Sequence, residues 1–256
     1  MSNTTLLYEL IANSANSLPD RTALSYGGRS MSYGELRDQI MRFSSGLMQL
    51  AIQRGERVAI YLEKRFETVI ASFGAPAAGC VFVPLNPLLK AEQVDYILRD
   101  CNVRVLITST ERLALLQESL ATCQDLRHIV VLDSSEPIPN ADGLALCHWS
   151  DLLAMSPRPG HRVIDTDVAS ILYTSGSTGK PKGVVLSHRN MVAGAKSVAS
   201  YLENEAGDTL LAALPLSFDA GFSQLTTAFH VGARVVLLNY LMPRDVLKVI
   251  EREKVT

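Results

Sequence analysis

Between Arg57 and Leu132 the chain repeats one pattern, and that pattern restricts the fold more than any other feature. Short apolar runs alternate with stretches whose apolar residues recur every three or four positions. Arg57–Leu62 (RVAIYL), Cys80–Pro84 (CVFVP), Val103–Thr108 and His128–Leu132 (HIVVL) predict strands. Between them, Phe66, Val69, Ile70 and Phe73 mark one helix, Ala91–Arg99 a second with Val94, Ile97 and Leu98 inward, and Glu111–Ala121 a third. This βαβ rhythm predicts an α/β fold with a mostly parallel sheet covered by helices on both faces.

The flanks read differently. Thr4–Ser14 places Leu6, Leu7, Leu10 and Ile11 on one helical face. Thr22–Tyr26, a Gly27-Gly28 turn and Ser30–Ser32 predict a hairpin. Ser32 and Glu35 have capping-box spacing, followed by Leu36, Ile40, Phe43 and Leu47 on one face of a helix that ends before Gly55. Asp133–Asp165 is rich in Pro, Ser, Asp and Gly, which predicts a surface loop with one short helix near Trp149–Leu153. Ala169–Tyr173 is a strand again, and Pro243–Lys254 reads as a helix.

Composition narrows the function classes. The net charge of -2 on 256 residues gives no support for a nucleic-acid partner. No apolar run is long enough to span a bilayer, and Met1–Leu10 lacks the pattern of a secretory signal. Cys80, Cys101, Cys123 and Cys147 are far apart and form no CxxC pair, which reads as reduced thiols in a cytoplasmic protein. The five histidines show no ligand spacing, so no metal site is expected from His and Cys.

The segment Thr174–Gly183 (TSGSTGKPKG) carries the chemistry. It holds four hydroxyls (Thr174, Ser175, Ser177, Thr178), three glycines (Gly176, Gly179, Gly183) and two lysines (Lys180, Lys182). Glycines let backbone N–H groups approach a polyanion, hydroxyls donate to phosphate oxygens, and lysines add positive charge. The composition suits a triphosphate cradle. A bland surface hairpin would also use Gly and Ser, but would not need the consecutive Lys-Pro-Lys-Gly. A Walker loop is disfavoured, because Pro181 follows Lys180 and the apolar runs on either side predict strands, not a following helix.

TSGSTGKPKG resembles the phosphate-binding signature of the adenylate-forming superfamily, which includes acyl-CoA synthetases and the adenylation domains of nonribosomal peptide synthetases. Met31–Leu36 (MSYGEL) resembles an early motif of that family, and Phe73–Pro87 (FGAPAAGCVFVPLNP) a second one, with Pro76 as a departure. The resemblance implies the N-terminal large domain of the adenylate-forming fold, two stacked sheet subdomains flanked by helices (αβαβα layers) with the second sheet incomplete. Residues 1–54 and 208–256 would form one subdomain and 55–207 the other. It implies a two-step reaction, in which a carboxylate attacks Mg-ATP to give an acyl-adenylate and a thiol of coenzyme A or a carrier protein then displaces AMP. Lys182 would stabilise the departing pyrophosphate and is the expected catalytic residue, with Lys180 the less certain of the two. The competing classes are a P-loop-like phosphotransferase and a non-catalytic nucleotide-binding fragment.

Leu214–Gln224 (LPLSFDAGFSQ) is the expected acid-binding segment, with Phe218, Asp219, Ala220 and Ser223 lining the pocket. Many acyl-CoA synthetases have His at the position of Phe218, whereas peptide-synthetase domains have Phe-Asp, the Asp pairing with an amino acid's ammonium. Gly221 departs from the Ser usual there. Two readings of Asp219 stand side by side: an ammonium partner, or the N-cap of a helix starting near Ala220. Ser187 or Asn190 is expected to cap the next helix and His188 to be structural. The family continues past Thr256 with a ribose-binding carboxylate, adenine-contacting motifs and a small C-terminal domain, so these 256 residues alone are expected to lack adenylation activity.

Overall fold

The computed structural model describes residues 4–120, 122–133, 143–154, 156, 158–174 and 180–256. The chain opens with α1 (Glu9–Ser17), the hairpin β1 (Thr22–Tyr26) and β2 (Arg29–Ser32), and α2 (Tyr33–Gln49). The alternating region follows as β3 (Arg57–Tyr61), α3 (Phe66–Ala77), β4 (Val81–Pro84), α4 (Ala91–Asp100), β5 (Val103–Ser109), α5 (Thr110–Leu120) and β6 (His128–Leu132). Then come β7 (Ala145–His148), α6 (Trp149–Leu153), β8 (Val168–Thr174), β9 (Lys182–Ser187) and α7 (His188–Tyr201). The described chain closes with β10 (Thr209–Ala212), α8 (Asp219–Val231), β11 (Arg234–Leu237) and α9 (Pro243–Glu253).

Two sheets result. The larger has seven strands in the order β7-β6-β5-β3-β4-β8-β9. Its neighbours pair in parallel except β8 and β9, which are antiparallel. The smaller has the order β10-β11-β1-β2, with β1 antiparallel to β2 and parallel to β11. The parallel sheet and its helices follow from the alternating sequence.

Side chains of the larger sheet divide between two cores every second residue, as the pleat requires. Val58, Ile60, Val105, Ile107, Val130 and Leu132 enter the core shared with α2 and α3. Ala59, Tyr61, Leu106, Ile129 and Val131 enter the core beneath α4 and α5, against Val94, Ile97, Leu98 and Leu116. An aromatic cluster ties α3 to α8. Phe73 stacks on Phe222 at 5.6 Å, Phe82 lies 4.8 Å from Phe222, and Phe229 meets Phe73 edge-on at 5.4 Å. That cluster fixes where α8 begins relative to the ends of β4 and β8.

Several local readings hold. Ser32 caps α2, and Glu35 returns the bond from its N3 position. The first helix starts later than the periodicity predicts, at Glu9, because the Glu9 carboxylate accepts from the N–H groups of Thr5 and Leu6 and closes the turn before it. Part of the predicted loop is β7, which pairs with β6 in parallel. Pro76 lies in the last turn of α3, so the helical bond it cannot donate, to the Ser72 carbonyl, is one of the last in the helix.

Candidate functional site

β4 and β8 are neighbours in the sheet, and the chain leaves them in opposite directions. After β4 it crosses back over β3 through α4 to β5, whereas after β8 it turns outward to β9. The carboxyl ends of two such strands leave a crevice, the usual place for a ligand in an open α/β sheet. A cavity of about 450 Å³ lies there. Pro84 at the end of β4 and Leu85 and Asn86 after it line the cavity, together with Tyr173 and Thr174 at the end of β8, Pro181, and Ser217 and Phe218 before α8. A second cavity of about 300 Å³ lies on the other side, lined by Leu172, Met191, Phe218, Asp219, Ser223 and Thr226 among others. Thr174 and Phe218 line both.

The Gly-rich segment joins β8 to β9, so the predicted strand–loop–strand context is present. Thr174 ends β8 and pairs in register with Lys182, the first residue of β9. The Thr174 hydroxyl donates to the Lys182 carbonyl at 3.4 Å. Thr174, Lys180, Lys182 and Gly183 are exposed. Lys180 Nζ sits 5.9 Å above the ring of Tyr96 on α4. Ser175, Gly176, Ser177, Thr178 and Gly179 lie outside the described residues. Gly183 also has a packing reason: a Cβ there would sit 2.7 Å from Ile171 Cγ2 and 3.1 Å from the Tyr173 ring.

At the start of α8 the structure corrects one expectation. Asp219 is not the N-cap. Phe218 holds that position, no side chain caps the helix, and Asp219 is its first residue. The reason is the Phe222 N–H bond to the Phe218 carbonyl at 2.9 Å, which starts the helix one residue earlier than Ala220. Asp219 and Ala220 are exposed, and Asp219 and Ser223 line the smaller cavity. Ala220 does not line it; it faces a neighbouring groove between α7 and β10 that Asp219 and Ser223 also reach. Gly221 has no room for a side chain, since a Cβ would collide with the Pro215 carbonyl. The Ser expected there would require this backbone to shift.

The helix after β9 is capped by Ser187, with Asn190 returning the bond, so both residues share the task. His188 is structural in its contacts. It is buried, and its Nδ1 accepts from the Leu7 N–H at 3.0 Å. Burial pushes its pKa down, against the pull of Asp167, Glu9 and Asp165.

Sequence reasoning missed two contributors. Pro84–Asn86 belong to a motif quoted above only for its resemblance, yet they line the larger cavity; their position at the carboxyl end of a predicted strand was the available signal. Lys64, at the turn after β3, was not singled out at all. Its half-buried Nζ donates to the Ala213 carbonyl at 2.6 Å and the Leu214 carbonyl at 3.3 Å. Burial pushes its pKa down to about 8. Among the described residues, no group of three or more His, Cys, Asp or Glu side chains converges as a metal site, and no helix is long and apolar enough to cross a membrane.

Residues 11–256 match the family described as AMP-binding enzyme. The chain belongs to that family. Surfactin synthase subunit 1 of Bacillus subtilis (strain 168) is 28% identical over 98% of this chain. A long-chain-fatty-acid–CoA ligase of the same organism is 26% identical over 98%. Among solved structures, the anthranilate CoA ligase AuaEII in complex with anthranoyl-AMP superposes with a TM-score of 0.89 at 28% identity, covering 98% of this chain. The chain spans 6% of the first relative, 49% of the second and 48% of the third. In these AMP-binding enzymes the matched part is N-terminal, and the α/β fold seen here is that of their N-terminal domain.

Proposed function

We propose that the protein is an ATP-dependent carboxylate-activating ligase. The observation that carries this reading is the pairing of Thr174 with Lys182 at the carboxyl end of β8, beside a cavity walled by Phe218, in a member of the AMP-binding enzyme family. The β- and γ-phosphates would lie along Thr174–Gly183, with Lys180, Lys182 and loop N–H groups as donors. A carboxylate oxygen attacks the α-phosphorus, and the bond to pyrophosphate breaks. Lys182 stabilises the charge that builds on the leaving pyrophosphate. A thiol, from coenzyme A or a carrier protein, then attacks the acyl carbon and AMP leaves.

Exposed hydroxyl and ammonium groups at both ends of the loop suit a polyphosphate. Mg²⁺ bound with the nucleotide neutralises phosphate charge, and it commonly takes only one or two protein carboxylates, so a dedicated cage is not required. The acid would occupy the cavity at Phe218, Asp219 and Ser223, with Ala220 on its outer side. Asp219 favours an amino acid, because it is exposed, lines this cavity and, among the described residues, makes no cap bond to α8, so an ammonium could pair with it. Two lobes, 1–54 with 208–256 and 55–207, belong to the same proposal, since each sheet draws its strands from one of these sets.

Carboxylate-dependent ATP–pyrophosphate exchange by the full-length protein, across a panel of amino, aryl and fatty acids, tests the reading. Exchange with at least one acid is expected. Exchange with none, under conditions where ATP binds, would refute it, and strong exchange with fatty acids alone would remove the ammonium role of Asp219.

A further inference from the structure

The turn after β3 carries three consecutive charged residues, and each reaches a different element. Glu63 pairs with Arg112 of α5. Arg65 donates to Asp133, just after β6, at 3.0 Å and to Glu67 of α3 at 2.7 Å. Lys64 points toward the smaller sheet, where it reaches the carbonyls of Ala213 and Leu214.

Those two carbonyls belong to a stretch that has left the β10–β11 ladder, whose last register pair is Ala212 with Leu237. The stretch has not yet entered α8. It needs donors from elsewhere, and a Lys ammonium supplies several from one atom. The backbone of Lys64 is itself held in place. Its N–H donates to Asn239 Oδ1 at 3.3 Å, and Asn239 Nδ2 donates to its carbonyl at 2.8 Å. Gln224 of α8 ties this stretch to β10: its Oε1 accepts from the Leu214 N–H at 3.2 Å, and its Nε2 donates to the Leu211 carbonyl at 2.8 Å.

We propose that Lys64 is a positioning residue for acid binding: by holding the Ala213 and Leu214 carbonyls it sets the place of Ser217 and Phe218 in the wall between the two cavities. Lys64 itself lines neither cavity. Its Nζ is engaged by carbonyls, so it acts on the wall and not on a phosphate. The naming of the ligand as an acid rests on the proposed function; the clamp rests on geometry alone.

The test uses the full-length protein and two readouts. The first is hydrogen exchange of the 211–218 segment in Lys64→Met and Lys64→Arg. The second is steady-state kinetics with the best acid from the exchange panel. Lys64→Met is expected to speed exchange of the Ala213 and Leu214 amides and to raise KM for the acid about tenfold, the size expected when charge-assisted bonds are lost. KM for ATP and kcat should stay within about twofold, and Lys64→Arg should restore much of the effect, since a guanidinium can also donate to two carbonyls. Unchanged exchange would overturn the proposal, as would equal changes in KM for acid and ATP. If the protein activates no acid, the functional reading fails, yet the exchange readout still decides whether Lys64 is the clamp. Asn239→Ala, which loosens the Lys64 backbone and leaves its side chain, provides an independent variant should Lys64→Met not fold. It should show a smaller shift in the same direction, and no shift in it would also overturn the proposal.

Discussion

The β8–β9 hairpin and the β10–α8 connection meet where Thr174 and Phe218 face both cavities, but they are held together in opposite ways. The hairpin is a contiguous piece of sequence whose strands pair with each other from Val168–Ser187 to Thr174–Lys182. The connection has no ladder of its own. It depends on Lys64 from the β3 turn, Gln224 one turn into α8, the missing Cβ of Gly221, and the aromatic contacts of Phe222. A site built from neighbours in sequence can change its side chains without changing its shape. A site built from distant contacts cannot, so function and stability should separate in the first region and move together in the second.

The strongest challenge to that contrast is Phe222→Ala. Phe222 is 1% exposed and touches Phe73 and Phe82, so its loss should cost about 3–5 kcal/mol, read as a fall in thermal midpoint of roughly 10 °C. Pyrophosphate exchange should fall with it. Lys182→Ala is the opposite case. Its side chain is exposed, so stability should change by about 0.5 kcal/mol or less, while pyrophosphate exchange drops about 100-fold. A large loss of stability in this variant would erase the distinction.

The two glycines sharpen it. Gly221→Ala forces a methyl against a backbone carbonyl and should cost about 1–3 kcal/mol with a raised KM for the acid. In Gly183→Ala the nearest atoms the methyl meets are side-chain atoms of Ile171 and Tyr173, which can yield, so it should cost less by the same denaturation measurement. Ser187→Ala, which removes the cap of α7, should destabilise by about 1 kcal/mol and leave KM for the acid unchanged.

The smallest effect concerns pH. His188 is buried with its pKa pushed below the ordinary value of about 6.5. A folded state that disfavours the charged ring is fully stabilised above that ordinary value and loses stability as pH falls below it toward the depressed one. Thermal midpoints measured from pH 7.5 to 5.5 should therefore decline, and His188→Asn, which keeps an acceptor for the Leu7 N–H, should decline less. Equal slopes would show that His188 is not the group responsible.

The same contrast explains what could be read from residues alone. The strands and helices from Arg57 to Leu132 were legible because each is set by its own apolar period, and so was the capping pair Ser32–Glu35, whereas at α7 the residues suggested either Ser187 or Asn190 and not the two together. The strand on each side of the Gly-rich loop was legible for the same reason. β7 was not, because ALCH is short and half-exposed at the sheet edge, inside a stretch whose Pro and Ser content argues for loop. The start of α8 was misplaced because Asp is a good N-cap by itself, whereas the Phe218 carbonyl takes the first helical bond. Lys64 could not be found, since its partners are 149 and 150 residues away and are backbone carbonyls, which no residue type announces.

The strands buried on both faces carry a further consequence. A strand with one wet face has a built-in sense of in and out, and a slip by one residue would drown its apolar side chains. In β5, Val105 and Ile107 enter one core and Leu106 the other, so a slip would trade one apolar surrounding for another. Alignment must then be marked elsewhere. Near the start of β5, Arg104 joins Glu56 at 3.0 Å and also pairs with Asp125, while Arg57 donates to the Asn102 carbonyl at 2.8 Å. Near its end, Thr108 donates to the Tyr61 carbonyl at 3.2 Å. These polar fastenings act as alignment pins for an interior that is otherwise indifferent to sliding, Arg57 and Arg104 where the parallel strands begin and Thr108 at the carboxyl ends, the edge of the sheet on which the crevice opens.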